Sequence, residues 1–585
     1  MVTEIRPQGR ARRRRRWIWV SLLVVVLVWI AAVGAMLVVA RSDVNRGVDR
    51  LQSTQSRLTP DAVARGIGRS DLQAARDDFS SAHDLVGSFV VKPFEILPFV
   101  GRQVKSVDKL TSAATRVVDI GDHAISEVQA KLKEKPKTGP ERIALLDQLH
   151  AIASSALTQI HQVDLGPSEA LVGPVADARK KFVSKLDQAT TSLADADALA
   201  AGMAKLLRGP SNYLVLAANN AEMRSGSGTL LSAGVLTIQD GKFTLGDLRP
   251  TGDLLLPSGA VPVPGALAAT WGFVKPTEDF RDLGTSPRFD VNAPLAAQMW
   301  KSLTGQQVDG VLALDPVTLR AFIAAEGPVD VDGVQLNADN VVRFVLHDQY
   351  QGAENSDPVQ QARRDRLSAI ARAVIDAFDQ RDWQPSTLLK ELSSAVDGRH
   401  ILAWSSDPVE QQGWLGAGMA GTLSKDSLLV SMINFSGTKL DQFLDADATL
   451  SATKTGQGSD VTLQLHVKND APLGEPSYVT GPYPGTGDVE GEYKGQVAFN
   501  LPANARQVAL TGTAPLTVSG TDGPTQVVAA SIDLHRGEER VVTVRFHLPA
   551  GEDQLVVEPS ARVPAIHWHF GGQAWDDTAD RSLAW

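Results

Sequence analysis

Three segments of this chain place arginines and carboxylates in turn-forming or glycine-rich sequence. The first runs Asn219-Asn-Ala-Glu-Met-Arg-Ser-Gly-Ser-Gly-Thr229. Its small residues would let backbone amides approach a ligand closely, and Arg224 offers a planar, permanently charged fork suited to phosphate or carboxylate. The competing reading is a polar loop whose arginine pairs with Glu222 or another local acid. The second, Phe280 to Asn292, carries Arg281, Asp282, Arg288 and Asp290. Two arginines and two acids could bind an anion with a divalent cation, since hard oxygen ligands suit magnesium. The same four charges could also neutralise one another. The third passes from His347-Asp-Gln-Tyr350 through Asp357 to Arg363-Arg364-Asp365-Arg366 at the start of a helix. Arginines there oppose the helix dipole, so an external anion would be stabilising unless Glu354, Asp357 and Asp365 supply the charge.

Other chemistries lack their residues. There is no cysteine, which excludes disulfides, zinc–thiolate sites and thiol catalysis. Neither a Gly-x-x-x-x-Gly-Lys-Ser/Thr loop nor a His-Glu-x-x-His helix is present, and no Gly-x-Ser-x-Gly elbow stands between a strand and a helix. His567-Trp-His569 would put two imidazoles on one strand face. That is either a metal pair without an obvious third ligand or a plain surface strand.

The elements that must position these groups divide the chain into regions. Residues 41–210 read as an alanine-rich helical stalk or bundle, with apolar or small residues from Val104 to Leu132 recurring at three and four. Thr138-Gly-Pro-Glu141 has the form of a capping box opening the next helix. Within the stalk, Phe89 to Arg102 crowds Phe94, Ile96, Leu97, Phe99 and Val100 around two prolines. This segment could dip into a lipid interface, and the preferred reading is a plug at the base of the bundle.

Residues 211–420 mix strand and helix patterns, giving an α/β domain. Tyr213–Ala218 and Leu230–Ile238 read as strands, with Gln239-Asp-Gly-Lys242 as a hairpin turn. Asp309–Pro316 reads as a buried strand, Val317–Glu326 as a helix stopped by Gly327, and Gln360–Phe378 as an amphipathic helix. Residues 421–585 alternate apolar and polar side chains at Val461–Lys468 and Val542–Leu548, the pattern of a β-sandwich. The Gly/Pro-rich stretches Ala471–Gly491 and Thr511–Pro524 read as its loops.

Ahead of these regions stands a membrane signal. Residues 1–16 hold seven arginines against Glu4, a net of +6, while residues 17–40 carry no charge, so the total of −10 leaves −16 for residues 41–585. Trp17–Ala40, at ~1.5 Å per residue, is long enough to cross a bilayer, and because it far exceeds the ~7 to 15 apolar residues of a cleaved signal peptide's core it reads as an uncleaved anchor rather than that alternative. The arginines mark residues 1–16 as a cytoplasmic tail and place the bulk of the chain outside. They fit orientation and anionic lipid better than nucleic acid.

The segments Tyr213–Val235, Asp309–Pro316, Gly327-Pro-Val329 and His400-Ile-Leu-Ala-Trp404 together resemble the bacterial family catalogued as domain of unknown function four thousand and twelve, over roughly residues 60 to 570. That resemblance implies a single-pass cell-envelope protein of the actinobacterial kind, often encoded near polysaccharide genes, and supplies no activity. Asn292–Trp300, Leu303–Leu312, Gly327–Val331 and Asp357–Arg366 are similar in order and spacing to the LytR-CpsA-Psr phosphotransferases. Those enzymes transfer glycan phosphates from polyprenyl-pyrophosphate carriers to the cell wall. By this resemblance Arg224, Arg288 and Arg363, with Arg364 beside the last, would contact a pyrophosphate. Asp282 or Asp290 would serve as metal ligand or base, and magnesium would be the cofactor. The family's Arg-x-Asp-Thr element reads Arg224-Ser-Gly-Ser-Gly-Thr229 here, without its acid. Gln360 stands where the first arginine of its Asp-x-x-Arg-x-x-Arg pattern would be.

The expectation is therefore a membrane-anchored extracytoplasmic protein that binds or transfers polyprenyl-pyrophosphate-linked glycans, or else a non-catalytic envelope scaffold or glycan-binding protein. On the first reading Arg224, Arg288 and Arg363 converge on one pocket, and alanine at any of them weakens anion binding by about 1.5 to 3 kcal/mol while barely moving the melting temperature.

Overall fold

A computed structural model describes residues 42–43, 46–47, 50, 68–97, 99–352, 357–482, 489–512 and 516–585. The basic tail and the apolar span Trp17–Ala40 lie outside the described residues. Among the described residues no helix is long and apolar enough to cross a membrane. The described residues form two compact units, those up to 132 with 151–194, and those of 133–150 with 195–585.

The first unit is helical. α1 (Arg69–Val86) and α2 (Val100–Leu132) contribute to it, with parts of α3 (Gly139–His161) and α4 (Gly173–Arg208). Leu72, Ala75 and Phe79 of α1 pack with Ala114 and Val118 of α2, the three-and-four spacing read in the sequence. The segment between α1 and α2 corrects the plug reading. Val91 is buried beside Ala82, Val86 and Val104, but Phe89, Ile96 and Phe99 are 86, 85 and 80% exposed.

The second unit begins with the capping box. Glu141 Oε2 accepts from the backbone N–H of Lys137 at 2.7 Å and of Thr138 at 3.3 Å, and Thr138 Oγ1 accepts from the N–H of Glu141. A mixed sheet follows, ordered β3 (Lys242–Leu245), β2 (Gly228–Gln239), β1 (Ser211–Met223), β5 (Gly310–Leu314) and β8 (Ile401–Ser405), with β4 (Arg249–Pro250) also on β2. β1 is antiparallel to β2 and parallel to β5. Asp240 and Gly241 both take positive φ, 52° and 72°, closing the β2–β3 hairpin with Gln239 opposite Lys242.

Both faces of this sheet are covered, which is why its strands read as unbroken apolar runs. Tyr213 and Val215 pack with Leu206 and Leu207 of α4. Ala395 of α11 (Pro385–Asp397) and Trp414 of α12 (Pro408–Gly416) join the same cluster. On the opposite face Leu214 and Leu216 meet Trp271 of α5 (Gly265–Trp271), Leu283 of α6 (Phe280–Leu283) and Met299 of α7 (Phe289–Thr304). α8 (Pro316–Glu326), α9 (Val341–Leu346) and α10 (Asp357–Gln380) enclose a smaller core with the hairpin β6 (Val329–Val331) and β7 (Val334–Leu336).

The C-terminal part is a sandwich of two sheets sharing one core. One is ordered β13 (Arg506–Thr511), β16 (Glu539–Pro549), β11 (Gly458–Asn469), β10 (Leu444–Thr455), β18 (His567–Phe570), β19 (Gln573–Asp576). The other is ordered β14 (Leu516–Asp522), β15 (Thr525–Leu534), β12 (Tyr493–Leu501), β9 (Ser427–Asn434), β17 (Gln554–Glu558), β20 (Arg581–Ala584). β14 corrects the loop reading of Thr511–Pro524: it is an edge strand. In β11, Val461, Leu463, Leu465 and Val467 point inward while intervening residues reach the surface. In β9 all eight residues are buried. Its second face is covered too, because Ile433 of β9, Ala498 of β12 and Ala529 of β15 pack into the same cluster as Leu214 and Trp271. The mixed sheet region and the sandwich therefore share a continuous apolar boundary.

Candidate functional site

The polar centre of this unit lies along that boundary, and β1 delivers it. Pairing between β1 and β2 is interrupted between Asn219 and Met223. Asn220 and Glu222, released from that ladder, bond elsewhere. Asn220 Nδ2 donates to Asp315 Oδ2 at 2.8 Å and to the carbonyl of Ala561 at 2.7 Å. Glu222 pairs with Lys439, both buried. Met223 N–H donates to Asp441 Oδ2 at 3.0 Å.

Residues 218–230 are buried without exception. The glycines of this loop accommodate protein backbone. Gly226 N–H donates to the carbonyl of Gly284 at 3.0 Å, and a Cβ on Gly228 would lie 2.2 Å from the carbonyl carbon of Asn219.

Arg224 is held on the same terms. Its Nη1 donates to the carbonyls of Met223 at 3.1 Å and Asn434 at 2.6 Å, and Nη2 lies 3.5 Å from Asp282 Oδ1. Burial raises the pKa of Asp282, a shift that the charge of Arg224 opposes. Beside them Asp441, fully buried, accepts from Asn434 Nδ2 at 2.8 Å and Arg562 Nη1 at 3.3 Å. Arg562 Nη2 also donates to the carbonyls of Asp441 and Leu444. Burial pushes the Asp441 carboxyl up, and Arg562 counteracts it. The cations Arg224, Lys439 and Arg562 are thus matched by Glu222, Asp282 and Asp441, leaving no surplus positive charge for an external anion.

Arg288 has different surroundings. It precedes α7, its Nη2 donates to Asp290 Oδ2 at 2.8 Å, and its guanidinium lies against Gly523, where a Cβ would come within 2.4 Å of Cζ. Asp522 next door accepts from Trp271 Nε1 at 2.9 Å and Ser286 Oγ at 3.0 Å, so this arginine too is built into the sandwich boundary. Asp290 stands in the first turn of α7, where a carboxylate complements the dipole.

Arg363, on α10, lies over the rings of Tyr350 and Tyr478, 4.9 and 4.3 Å from their centroids, and donates to Tyr478 Oη at 2.8 Å. The two rings stack at 5.3 Å, and Asn219 Nδ2 donates to Tyr350 Oη at 3.2 Å. Arg364 is exposed. Nearby, His347 contacts Asp348 at 2.8 Å and Glu475 at 3.2 Å.

The arginines expected in one pocket share no hydrogen-bond partner among the described residues. Arg224, Arg288 and Arg363 have three separate partner sets, and Asp282 and Asp290 are likewise engaged by different arginines. What does converge is a set the sequence did not join. His400 Nδ1 lies 2.6 Å from Asp315 Oδ2, the oxygen that Asn220 also reaches, while Asp315 Oδ1 caps α8 by accepting from Val317 and Thr318 N–H. The segments around Asn220, Asp315 and His400, which carry the first resemblance, meet at one buried carboxylate. The sequence signal was a polar residue beside each apolar run: Asn220 after Leu214–Ala218, Asp315 after β5 and His400 before β8. The sandwich partners Asn434, Lys439, Asp441 and Arg562 were missed, because no local pattern pairs residues more than 100 positions apart.

Residues 208–350 match the model of a family described as Protein of unknown function (DUF4012). The match is narrower than the span of the resemblance, and contains Arg224, Asp282, Arg288, Asp290 and Asp315 but neither Arg363 nor His400. No curated protein matches the chain.

Proposed function

We propose that this chain, with its DUF4012 region at the centre, is a membrane-anchored protein of the extracytoplasmic cell envelope that acts as a scaffold or polymer-binding protein without catalysis. The anchor rests on the arginine block and the uncharged span Trp17–Ala40. An apolar surface at Phe89, Ile96 and Phe99 in the helical unit suits a place close to lipid. A chain without cysteine must hold itself together outside the cell by packing, and the continuous core of its second unit does that.

The observation that carries the non-catalytic reading is the engagement of Arg224. A phosphoryl-transfer centre needs donors free to follow charge as it develops on the substrate. Here the Nη groups of Arg224 are taken by two carbonyls and Asp282 in a charge-balanced, buried surround. The test is calorimetric titration of the full chain in lipid nanodiscs with a short polyprenyl pyrophosphate, with and without magnesium. The expected outcome is no magnesium-dependent binding that requires Arg224, and no glycan transfer. Binding abolished by Arg224→Lys in a protein of unchanged stability would replace the scaffold with a phosphotransferase. Orientation is tested separately: protease added to intact spheroplasts should digest everything beyond residue 41.

A further inference from the structure

The exposed face of the β10–β11–β18 sheet presents a group of side chains that the boundary network does not use. β18 is fixed by Trp568, fully buried in the sandwich core and stacked on Trp575 at 6.2 Å. With Trp568 inward, His567 and His569 both project to the opposite face. Alongside runs β10, parallel, with Asp447 opposite His567 and Thr449 opposite His569. One ligand-type atom from each of Asp447, His567 and His569 lies within 4.8 Å of the other two. Within the set, His569 Nε2 lies 3.6 Å from Asp447 Oδ1. Bonds of ~2.0–2.1 Å to a tetrahedral ion place ligand atoms about 3.3 Å apart, so small rotations of these side chains close the set.

Two further features separate this group from an ordinary surface ion pair. His567 Nδ1 contacts Asp576 Oδ1 at 2.8 Å across the β18–β19 pair. With Nδ1 held as a donor, Nε2 is the nitrogen left for an ion, the carboxylate–histidine–metal arrangement that fixes tautomer and ring orientation. His466, directly across from Asp447 on β11, is drawn the other way, toward Glu539 at 3.4 Å. The ligand set therefore has three donors on a rigid sheet and a defined outer partner. Its side chains are 39 to 45% exposed, so further coordination positions face solvent.

We infer that Asp447, His567 and His569 form a site for one divalent transition-metal ion of the zinc class, with Asp576 orienting His567. Two imidazoles and a carboxylate suit zinc and its neighbours better than magnesium or calcium, which prefer oxygen donors throughout.

The experiment titrates the full chain with Zn2+ against a chromophoric chelator, and with Co2+ while recording its visible d–d bands. The expected result is one ion bound per chain, with the paired substitution His567→Ala/His569→Ala lowering affinity at least 100-fold. Asp447→Asn and Asp576→Asn should each lower it about 10- to 100-fold, and His466→Ala should leave it within twofold. Circular dichroism of each apo variant establishes that the fold is retained, as expected for surface substitutions. Absence of binding at 100 µM metal, or binding unchanged in the paired variant, overturns the proposal. Loss of affinity in His466→Ala as large as in Asp447→Asn overturns the assigned ligand set.

Discussion

The two sheets of the sandwich treat polar side chains in opposite ways. The central strands β9, β12 and β15 of one sheet are covered on both faces, and the charged groups packed at that boundary, Arg224, Asp441 and Arg562, are each bound to backbone or to an opposite charge. The sheet containing β10 and β18 has one face in solvent, and its histidines and Asp447 keep donor capacity beyond their single contacts. Satisfied buried charge specifies how two parts of a chain fit together. Unsaturated exposed ligands are what a second molecule or an ion can use. Arg224, the arginine that looks most chemical in sequence, falls on the first side of that division, and the histidine pair that looks least chemical falls on the second.

Breaking the covered side should cost most. Arg562→Ala leaves Asp441 buried without its cation and should lose about 3 to 5 kcal/mol in chemical denaturation. The paired change Arg562→Met/Asp441→Leu should cost far less, since no lone charge is left behind. If the single and paired variants are equally destabilised, the boundary is a packing surface and its charges are incidental.

A smaller effect is expected at Glu326, whose burial pushes its carboxyl from 4.5 up to about 8, against the opposing charge of Arg381. A carboxyl raised in the folded state costs stability as pH climbs from the ordinary carboxylate range through that folded value. Glu326→Gln should therefore melt with the wild type at pH 5 and above it at pH 8. Curves that stay parallel over that range would contradict the burial argument.

His347 should show the reverse slope, more weakly. Burial works against its charged form, but the hydrogen bonds to Asp348 and Glu475 outweigh it and raise the pKa. Its contribution should be full below the ordinary histidine value, about 6.5, and fade as pH rises through the higher folded value. The destabilisation by His347→Gln should accordingly be larger at pH 6 than at pH 9. On the solvent face, Asp447→Asn without added metal should leave unfolding free energy within about 0.5 kcal/mol. A larger loss would mean that this face, too, is structural.

Legibility in the sequence followed the range of the interactions. The strands β1, β2 and β5, the hairpin at Asp240-Gly241, the capping box at Thr138 and the alternation of β11 and β16 were readable because period and turn chemistry are local. β14 was not, since an exposed edge strand carries little apolar alternation. The loop from Phe89 to Phe99 was misread as a plug because apolar composition does not say which side chains turn outward. At the candidate site, residue types were legible and their partners were not. Arg224 meeting Asn434, and Asn220 and His400 meeting Asp315, are products of the fold. The third ligand beside His567 and His569 comes from a strand 120 residues earlier, brought in by parallel pairing that no turn signal announces.

The most direct test is the unfolding free energy of Arg224→Ala, measured by denaturant titration without any ligand. An arginine bonded to two buried carbonyls and facing Asp282 should cost about 2 to 4 kcal/mol on removal, because the acceptors are left unpaired in a dry boundary. A variant within about 0.5 kcal/mol of wild type that has also lost pyrophosphate binding would show Arg224 serving a ligand, contradicting the structural account of this junction.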